Sequence, residues 1–342
     1  MINIAVIGYG YWGPNLARCV AETDGCNLAA VVDQSSTALS RAGKRHPSAK
    51  LSESWAEVLA DPAIDAVMIA TPVDTHYEIG LAALNAGKHV LVEKPMTSNS
   101  REAATLVELA AKRKRVLMVD HTFVYTPAVQ KIRDLIVDGS IGQVYYYHST
   151  RINLGLFQRD VNVIWDLAVH DLAILDYVMD ARPVAVSASG AGHIQGAPEN
   201  MAHIALFYPN GFVAHLNVNW LAPVKIRQTL IGGSRRMIVY DDLEPSEKIK
   251  VYDRGVNLNA SAEEVNKIRV SYRVGDMWAP HLSVKEALRT EVEHFVACMT
   301  EGTTPTTSGI NGLHVVEMLE SAVGSLKQRG HPVEIAPMRL AS

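Results

Sequence analysis

Cysteine is scarce in this chain, with Cys19, Cys26 and Cys298 the three examples in 342 residues. They show no Cys-x-x-Cys spacing, so neither a disulfide scaffold nor a thiolate metal knuckle is indicated. Free thiols and a cytoplasmic setting are the simple reading. No apolar run approaches the length of a membrane span. The first residues enter a strand at once, which leaves no room for a signal peptide. An excess of basic charge is missing too. The formal net charge is −4, so no nucleic-acid surface is implied. Repeats and low-complexity tracts are absent. What remains is 48% hydrophobic and 20% charged, an ordinary globular composition long enough for two domains.

The most informative stretch comes first. Ile4 to Ile7 is apolar and β-branched, as suits a buried parallel strand. It runs into Gly8-Tyr9-Gly10-Tyr11-Trp12-Gly13, which fits G-x-G-x-x-G. Gly8 permits the tight turn, Gly10 lets a pyrophosphate approach the backbone, and Gly13 lets the next helix pack close to the strand. That helix, starting near Gly13-Pro14, offers free N–H groups and a positive dipole end to phosphates. The hexapeptide alone is a weak signal and also describes a plain turn. Its context strengthens it: a second apolar run, Leu28 to Val32, ends in Asp33, an acid placed to accept the adenosine ribose hydroxyls. Gln34-Ser35-Ser36 supplies no arginine for a 2′-phosphate, although Arg41 and Arg45 follow, so NAD is expected over NADP.

The strand–helix alternation continues. Helices are expected over 36–45 and 53–60, a strand over 65–70, a helix over 77–86 capped by Asp74 or Thr75 and closed by Gly87, and a strand over 88–92. A helix over 100–114 and a strand over 116–119 follow. This is an α/β, doubly wound Rossmann domain, with ligands at the carboxyl ends of its strands. Beyond about residue 120 the pattern changes. A helix over 127–137, a strand over 143–151 and an amphipathic helix over 166–178 precede strands over 184–191, 201–208, 211–220, 225–232, 237–240 and 247–252. Turn chemistry at Pro209-Asn210-Gly211 and Gly232-Gly233-Ser234 joins some of them. This second domain is α+β with an open, mostly antiparallel sheet. Residues 253–280 read as a long polar excursion, followed by helices over 283–299 and 310–329 and a short strand over 333–335. The expected domains are 1–120 and 121–342, with room for the C-terminal segment to pack back on the first.

Several residues carry candidate chemistry. Lys94, between Glu93 and Pro95, stands at a strand end, where an ammonium can hydrogen-bond a substrate hydroxyl or simply point to solvent. Asp166 and His170 are spaced i, i+4 on one helix face. Such a pair can orient an imidazole as general base. It also describes a surface ion pair, and periodicity does not decide. A metal site lacks a third ligand or HExxH, so no metal is expected. Thr71, Pro72 and His76 stand where a cofactor could be lined or a helix simply begun. Arg151 and Asn153 end a strand and could recognise polar substrate groups or be surface polarity. Lys225 and Arg227 alternate along one strand and could hold phosphate or carboxylate.

Taken together, the glycine loop, Thr71-Pro72 with His76, Glu93-Lys94-Pro95 and Asp166-x-x-x-His170 resemble the glucose–fructose oxidoreductase/inositol dehydrogenase family, Gfo/Idh/MocA, over essentially the whole chain. The resemblance implies that Lys94, Asp166 and His170 surround the nicotinamide and the reacting hydroxyl. It implies an NAD cofactor bound by Gly8, Gly10, Tyr11, Trp12, Gly13, Asp33, Gln34, Thr71, Pro72, His76, Glu93 and Lys94. For the substrate it implies Lys94, Asp166 and His170, to which the strand positions of Arg151, Asn153 and Lys225 add further candidates. Residues 10–16, 151–155, 165–171 and 220–227 look like the branch acting on nucleotide-linked sugars, UDP-N-acetylglucosamine 3-dehydrogenase-like enzymes among them. The expected reaction is NAD-dependent oxidation of a secondary sugar hydroxyl to a ketosugar. Its rivals are a ketosugar reductase and a non-catalytic, cofactor-sensing regulator. Family members commonly associate through the open sheet face, so a homodimer or homotetramer is expected, with no membrane or nucleic-acid partner.

Overall fold

The computed structural model describes residues 1–155, 161–253, 275–336 and 338. The chain divides into two units, Met1–Thr126 with Lys285–Glu317, and Pro127–Val284 with Met318–Ala336.

The first unit is built on a parallel sheet of β1 (Ile2–Ile7), β2 (Cys26–Val32), β3 (Lys50–Ser52), β4 (Ala66–Ile69), β5 (His89–Glu93) and β6 (Leu117–Asp120), in the order β3-β2-β1-β4-β5-β6. Its central strands are continuous apolar runs, and all of Ala66–Ile69 is buried, as a sheet covered on both faces requires. Helices α1 (Gly13–Glu22), α2 (Ser36–Arg45), α3 (Trp55–Ala60), α4 (Val73–Asn85) and α5 (Ser100–Arg113) make the connections. Strand order reverses between β1 and β4, and the carboxyl ends there diverge into the crevice where such sheets bind ligands. One helix starts earlier than the sequence suggests. Pro72 takes the N-cap position of α4 without a side-chain cap, so Asp74 and Thr75 lie inside the first turn. The Thr75 hydroxyl donates to the Pro72 carbonyl at 2.7 Å instead. Gly87 follows α4 with φ +76°.

A distant segment completes this unit. Helix α8 (Ala287–Glu301) and the start of α9 (Gly309–Lys327) belong to it. Leu288, Val292, Phe295 and Val296 form the buried face of α8. The Val119 amide donates to the Thr307 carbonyl at 2.8 Å. The Tyr125 hydroxyl meets His294 Nδ1 at 3.0 Å and Thr307 Oγ1 at 3.2 Å.

The second unit holds α6 (Pro127–Val137), α7 (Val169–Val178) and a nine-stranded sheet. The strands are β7 (Val144–Leu154), β8 (Ala185–Ala191), β9 (Met201–Phe207), β10 (Val213–Asn219), β11 (Leu221–Gly233), β12 (Met237–Asp241), β13 (Ile249–Tyr252), β14 (Met277–Trp278) and β15 (Val333–Glu334). Their order is β14-β13-β12-β11-β7-β10-β9-β8-β15. Every neighbouring pair is antiparallel except β7 and β10. Burial follows the strand period: Ala214, Leu216 and Val218 are buried, whereas His215 between them is exposed.

Three local features depart from expectation. Helix α7 is not amphipathic, because Val169, Asp171, Leu172, Ala173, Ile174, Leu175 and Val178 are all buried. It is preceded by a π-helical turn, Ile164–Ala168, a form that hydrophobic spacing does not announce. Strand β11 begins at Leu221, and its pairing with β7 slips between Leu221 and Ile226. Most of the expected 253–280 excursion lies outside the described residues.

Candidate active site

The glycine loop is fixed by backbone contact. Gly8 has φ +95°, and a Cβ there would lie 2.5 Å from the Ala70 carbonyl oxygen. A Cβ on Gly13 would lie 1.9 Å from the Gly8 carbonyl oxygen. Gly10 differs, because an added Cβ would meet no heavy atom within 4 Å. Its backbone is therefore bare toward open space, as close approach of a pyrophosphate requires. Asp33, just past β2, is held by the loop itself. One carboxylate oxygen accepts the Tyr9 amide at 2.6 Å and the other the Ser35 amide at 2.8 Å. Arg41 donates to the Tyr9 carbonyl at 3.2 Å.

A cavity of about 510 Å³ opens against this loop, lined by Gly8, Gly10, Asp33, Gln34, Thr71 and Pro72 among others. Its volume falls in the usual range for small-molecule sites. Trp55, at the start of α3, joins the lining. The sequence placed it only inside a short helix over 53–60. Tyr11 projects into solvent, 92% exposed. Trp12 turns the other way, its indole N–H donating to the Asp120 carboxylate at the end of β6.

His76 is a buried clasp. Its ring nitrogens face the Pro95 carbonyl at 3.0 Å and the Thr71 carbonyl at 2.8 Å. Burial pushes its pKa below the ordinary value, against the pull of those carbonyls. It thus ties the loop after β4 to the Glu93-Lys94-Pro95 turn after β5. Burial, together with the Asp120 charge, raises the Glu93 carboxyl well above the usual carboxylate range. Lys94 follows Glu93 at the same carboxyl edge of the sheet.

In the second unit, Asp166 lies within the π turn and His170 in the first turn of α7. Wide turns of this kind recur at functional sites. Asn162 organises the turn, its Oδ1 accepting the Ile164 amide at 3.2 Å and the Trp165 amide at 3.3 Å. Asp166 accepts the indole N–H of Trp220 at 2.9 Å. Trp220, 1% exposed, follows β10 directly. Its position in an apolar strand end gave no separate sign of this contact.

The proposed substrate residues separate here. Arg151, 4% exposed, is buried in an ion pair, with Nε 2.7 Å from Asp171 Oδ2. It joins β7 to α7, and burial removes it from the surface position its place near a strand end suggested. Asn153 is half-buried near the end of β7. Lys225 is exposed in the irregular stretch of β11. Arg227, two residues along the same strand, pairs with Asp242 at 3.2 Å.

All three cysteines are free. Among the described residues, no group of three or more His, Cys, Asp or Glu is placed to hold a metal ion. No helix among them is long and apolar enough to cross a membrane.

The switch-point sheet, the glycine loop open at Gly10 and the loop-held acid after β2 define a class, the NAD-dependent oxidoreductases. Two family models match: an oxidoreductase family with an NAD-binding Rossmann fold over residues 2–121, and the GFO/IDH/MocA C-terminal domain over residues 129–239. The chain belongs to this Gfo/Idh/MocA family, and it is an NAD-dependent oxidoreductase. It is 29% identical to UDP-N-acetylglucosamine 3-dehydrogenase of Acidithiobacillus ferrooxidans over 74% of this chain and 76% of that protein. A solved structure of that enzyme superposes with a TM-score of 0.82 at 26% identity, covering 96% of this chain and 98% of that one. Inositol 2-dehydrogenase of Rhizobium meliloti is 25% identical over 96% of this chain and 98% of its own.

Proposed function

We propose that the chain oxidises one secondary hydroxyl of a nucleotide-linked sugar to a ketosugar. The observation that carries this reading is the likeness to UDP-N-acetylglucosamine 3-dehydrogenase, which extends over nearly the full length of both chains. Gly8, Gly10 and Gly13 would seat the pyrophosphate and Asp33 the adenosine ribose, and the cavity beside them is of fitting size. When bound, NAD supplies the hydride acceptor.

His170 takes the hydroxyl proton as the carbinol C–H bond gives up its hydride, leaving C=O. Asp166 orients the imidazole. Trp220 holds that carboxylate through the indole N–H. The Lys94 ammonium hydrogen-bonds the reacting oxygen and stabilises the negative charge that develops there. These roles follow the family resemblance residue by residue. The same groups serve ketosugar reduction, with the proton returned by His170.

The protein also assembles, in this reading, through the exposed face of its nine-stranded sheet as a homodimer or homotetramer.

The test is an absorbance screen for NADH with UDP-, dTDP- and GDP-linked sugars beside free sugars and inositols, followed by product identification. NADH formation with nucleotide-linked sugars is expected. Turnover confined to free sugars or inositols would overturn the substrate class. NADH consumption with ketosugars alone would reverse the direction. NAD binding without any turnover would indicate a cofactor-sensing protein.

A further inference from the structure

Glu291 is a carboxyl that the proposed chemistry does not use, and its surroundings are unusual. It lies on the apolar face of α8, three residues after Leu288 and four before Phe295, and it is 0% exposed. Neither of its oxygens makes a well-formed hydrogen bond, and the Thr122 hydroxyl that bears on it is donated to Asp120. What faces Glu291 is another acid, Asp120, itself 2% exposed, beside a third carboxyl, Glu93, that burial and Asp120 likewise push up.

The donors converge on Asp120 instead. The Trp12 indole N–H reaches one of its oxygens and the Thr122 hydroxyl the other. The other charged or titratable groups around the cluster are Lys94, beside Glu93, Tyr125 after β6, and Cys19 on α1. Two ionised carboxylates facing each other without water would repel at close range. A single proton between them turns the repulsion into a charge-assisted hydrogen bond. Since Asp120 already receives two donors, the negative charge belongs there and the proton on Glu291. Burial and the Asp120 charge both raise the Glu291 carboxyl, in agreement.

We propose that Glu291 is a positioning residue for the cofactor loop: as a neutral carboxylic acid it donates to Asp120, which in turn holds the Trp12 indole. Trp12 occupies the N-cap position of α1, immediately before Gly13. Fixing its side chain fixes the entry to the helix whose free amides meet the pyrophosphate. Thus the far end of the chain, through α8, sets the stiffness of the N-terminal loop. The inference rests on NAD binding at that loop, and not on the identity of the sugar.

The experiment is calorimetric titration of the full chain with NAD, which needs no sugar. Glu291→Gln retains a neutral donor and should bind NAD within about threefold of wild type. Glu291→Leu keeps the volume but removes the donor, and should weaken binding by about tenfold, the order of one charged hydrogen bond. In a Trp12→Phe background, Glu291→Leu should add no further loss, because the handle on the loop is already gone. Equal weakening by Gln and Leu would overturn the proposal, as would wild-type affinity in Glu291→Leu or additive losses in the double variant. If Glu291→Leu does not fold, infrared difference spectra of wild type against Glu291→Gln decide. A protonated-carboxyl band lost in the Gln variant at neutral pH is expected. Its absence from wild type would refute the assignment.

Discussion

Gly10 and Gly13 look equivalent in G-x-G-x-x-G but answer to different demands. Gly13 is required by the chain itself, since a methyl there would strike the Gly8 carbonyl. Gly10 has empty space where a methyl would go, and its φ is not in the left-handed region. Gly13→Ala should therefore lower the melting temperature and abolish NAD binding together. Gly10→Ala should keep or slightly raise stability, by about 0.4–1 kcal/mol from unfolded-state entropy, while weakening NAD. Thermal melts beside NAD titration check this, and a destabilised Gly10→Ala would contradict it. Asp33 makes a second residue-scale argument. The Tyr9 and Ser35 amides pin its carboxylate, so it cannot swing away from a 2′-phosphate. Wild type should show a higher kcat/KM with NAD than with NADP, and Asp33→Ser should narrow that ratio. Equal use of both cofactors by wild type would remove Asp33 from the role.

At the scale of elements, the π turn and α7 are held from two sides. The Trp220 indole holds Asp166, and Arg151 holds Asp171. His170→Asn should reduce kcat by about 10²–10⁴, the range of general-base catalysis, with NAD affinity nearly unchanged. Trp220→Phe keeps the buried ring and removes only the donor. It should lower kcat less than His170→Asn does, again without affecting NAD. Turnover within twofold of wild type in folded His170→Asn, where chemistry limits the rate, would leave Asp166 and His170 as a structural pair. Arg151 is a stability argument. Arg151→Met strands the Asp171 charge in the interior and should cost about 3–5 kcal/mol. Arg151→Met with Asp171→Leu should recover most of that loss in a denaturant titration, because no buried charge remains.

For the whole molecule, the outer face of the large sheet matters most. One row of residues crosses five strands in register, His215, His148, Leu230, Val239 and Lys250. All five are exposed or half-exposed, while the row beside them, Ala214, Tyr147, Ile231, Ile238 and Val251, is 0% exposed. The His148 and His215 rings stand edge to face at 5.0 Å. A mixed surface of this breadth, with aliphatic residues at its centre, suits a two-fold contact in which each copy presents the same patch. Light scattering should show a dimer or tetramer, and Leu230→Glu should shift it toward monomer. A monomeric wild type at working concentration would remove the assembly reading.

The sequence by itself determined the parallel half of the fold and the cofactor loop. Apolar β-branched runs, a glycine spacing that only close backbone approach explains, and Asp33 are all local signals, readable within a few residues. Strand alternation likewise announced the antiparallel sheet. The tertiary structure decided what depends on distant partners. Spacing placed Asp166 and His170 on one face, but it could not supply Trp220, which arrives from the end of β10. Arg151 reads as a polar strand end until Asp171 is brought against it. Glu291 did leave a local trace, an acid among the apolar positions of α8. What that acid faces is Asp120, from a strand far earlier in the chain. Periodicity reports which way a side chain points relative to its own element. The charge, donor or void that meets it is set by another element, and no local pattern encodes that.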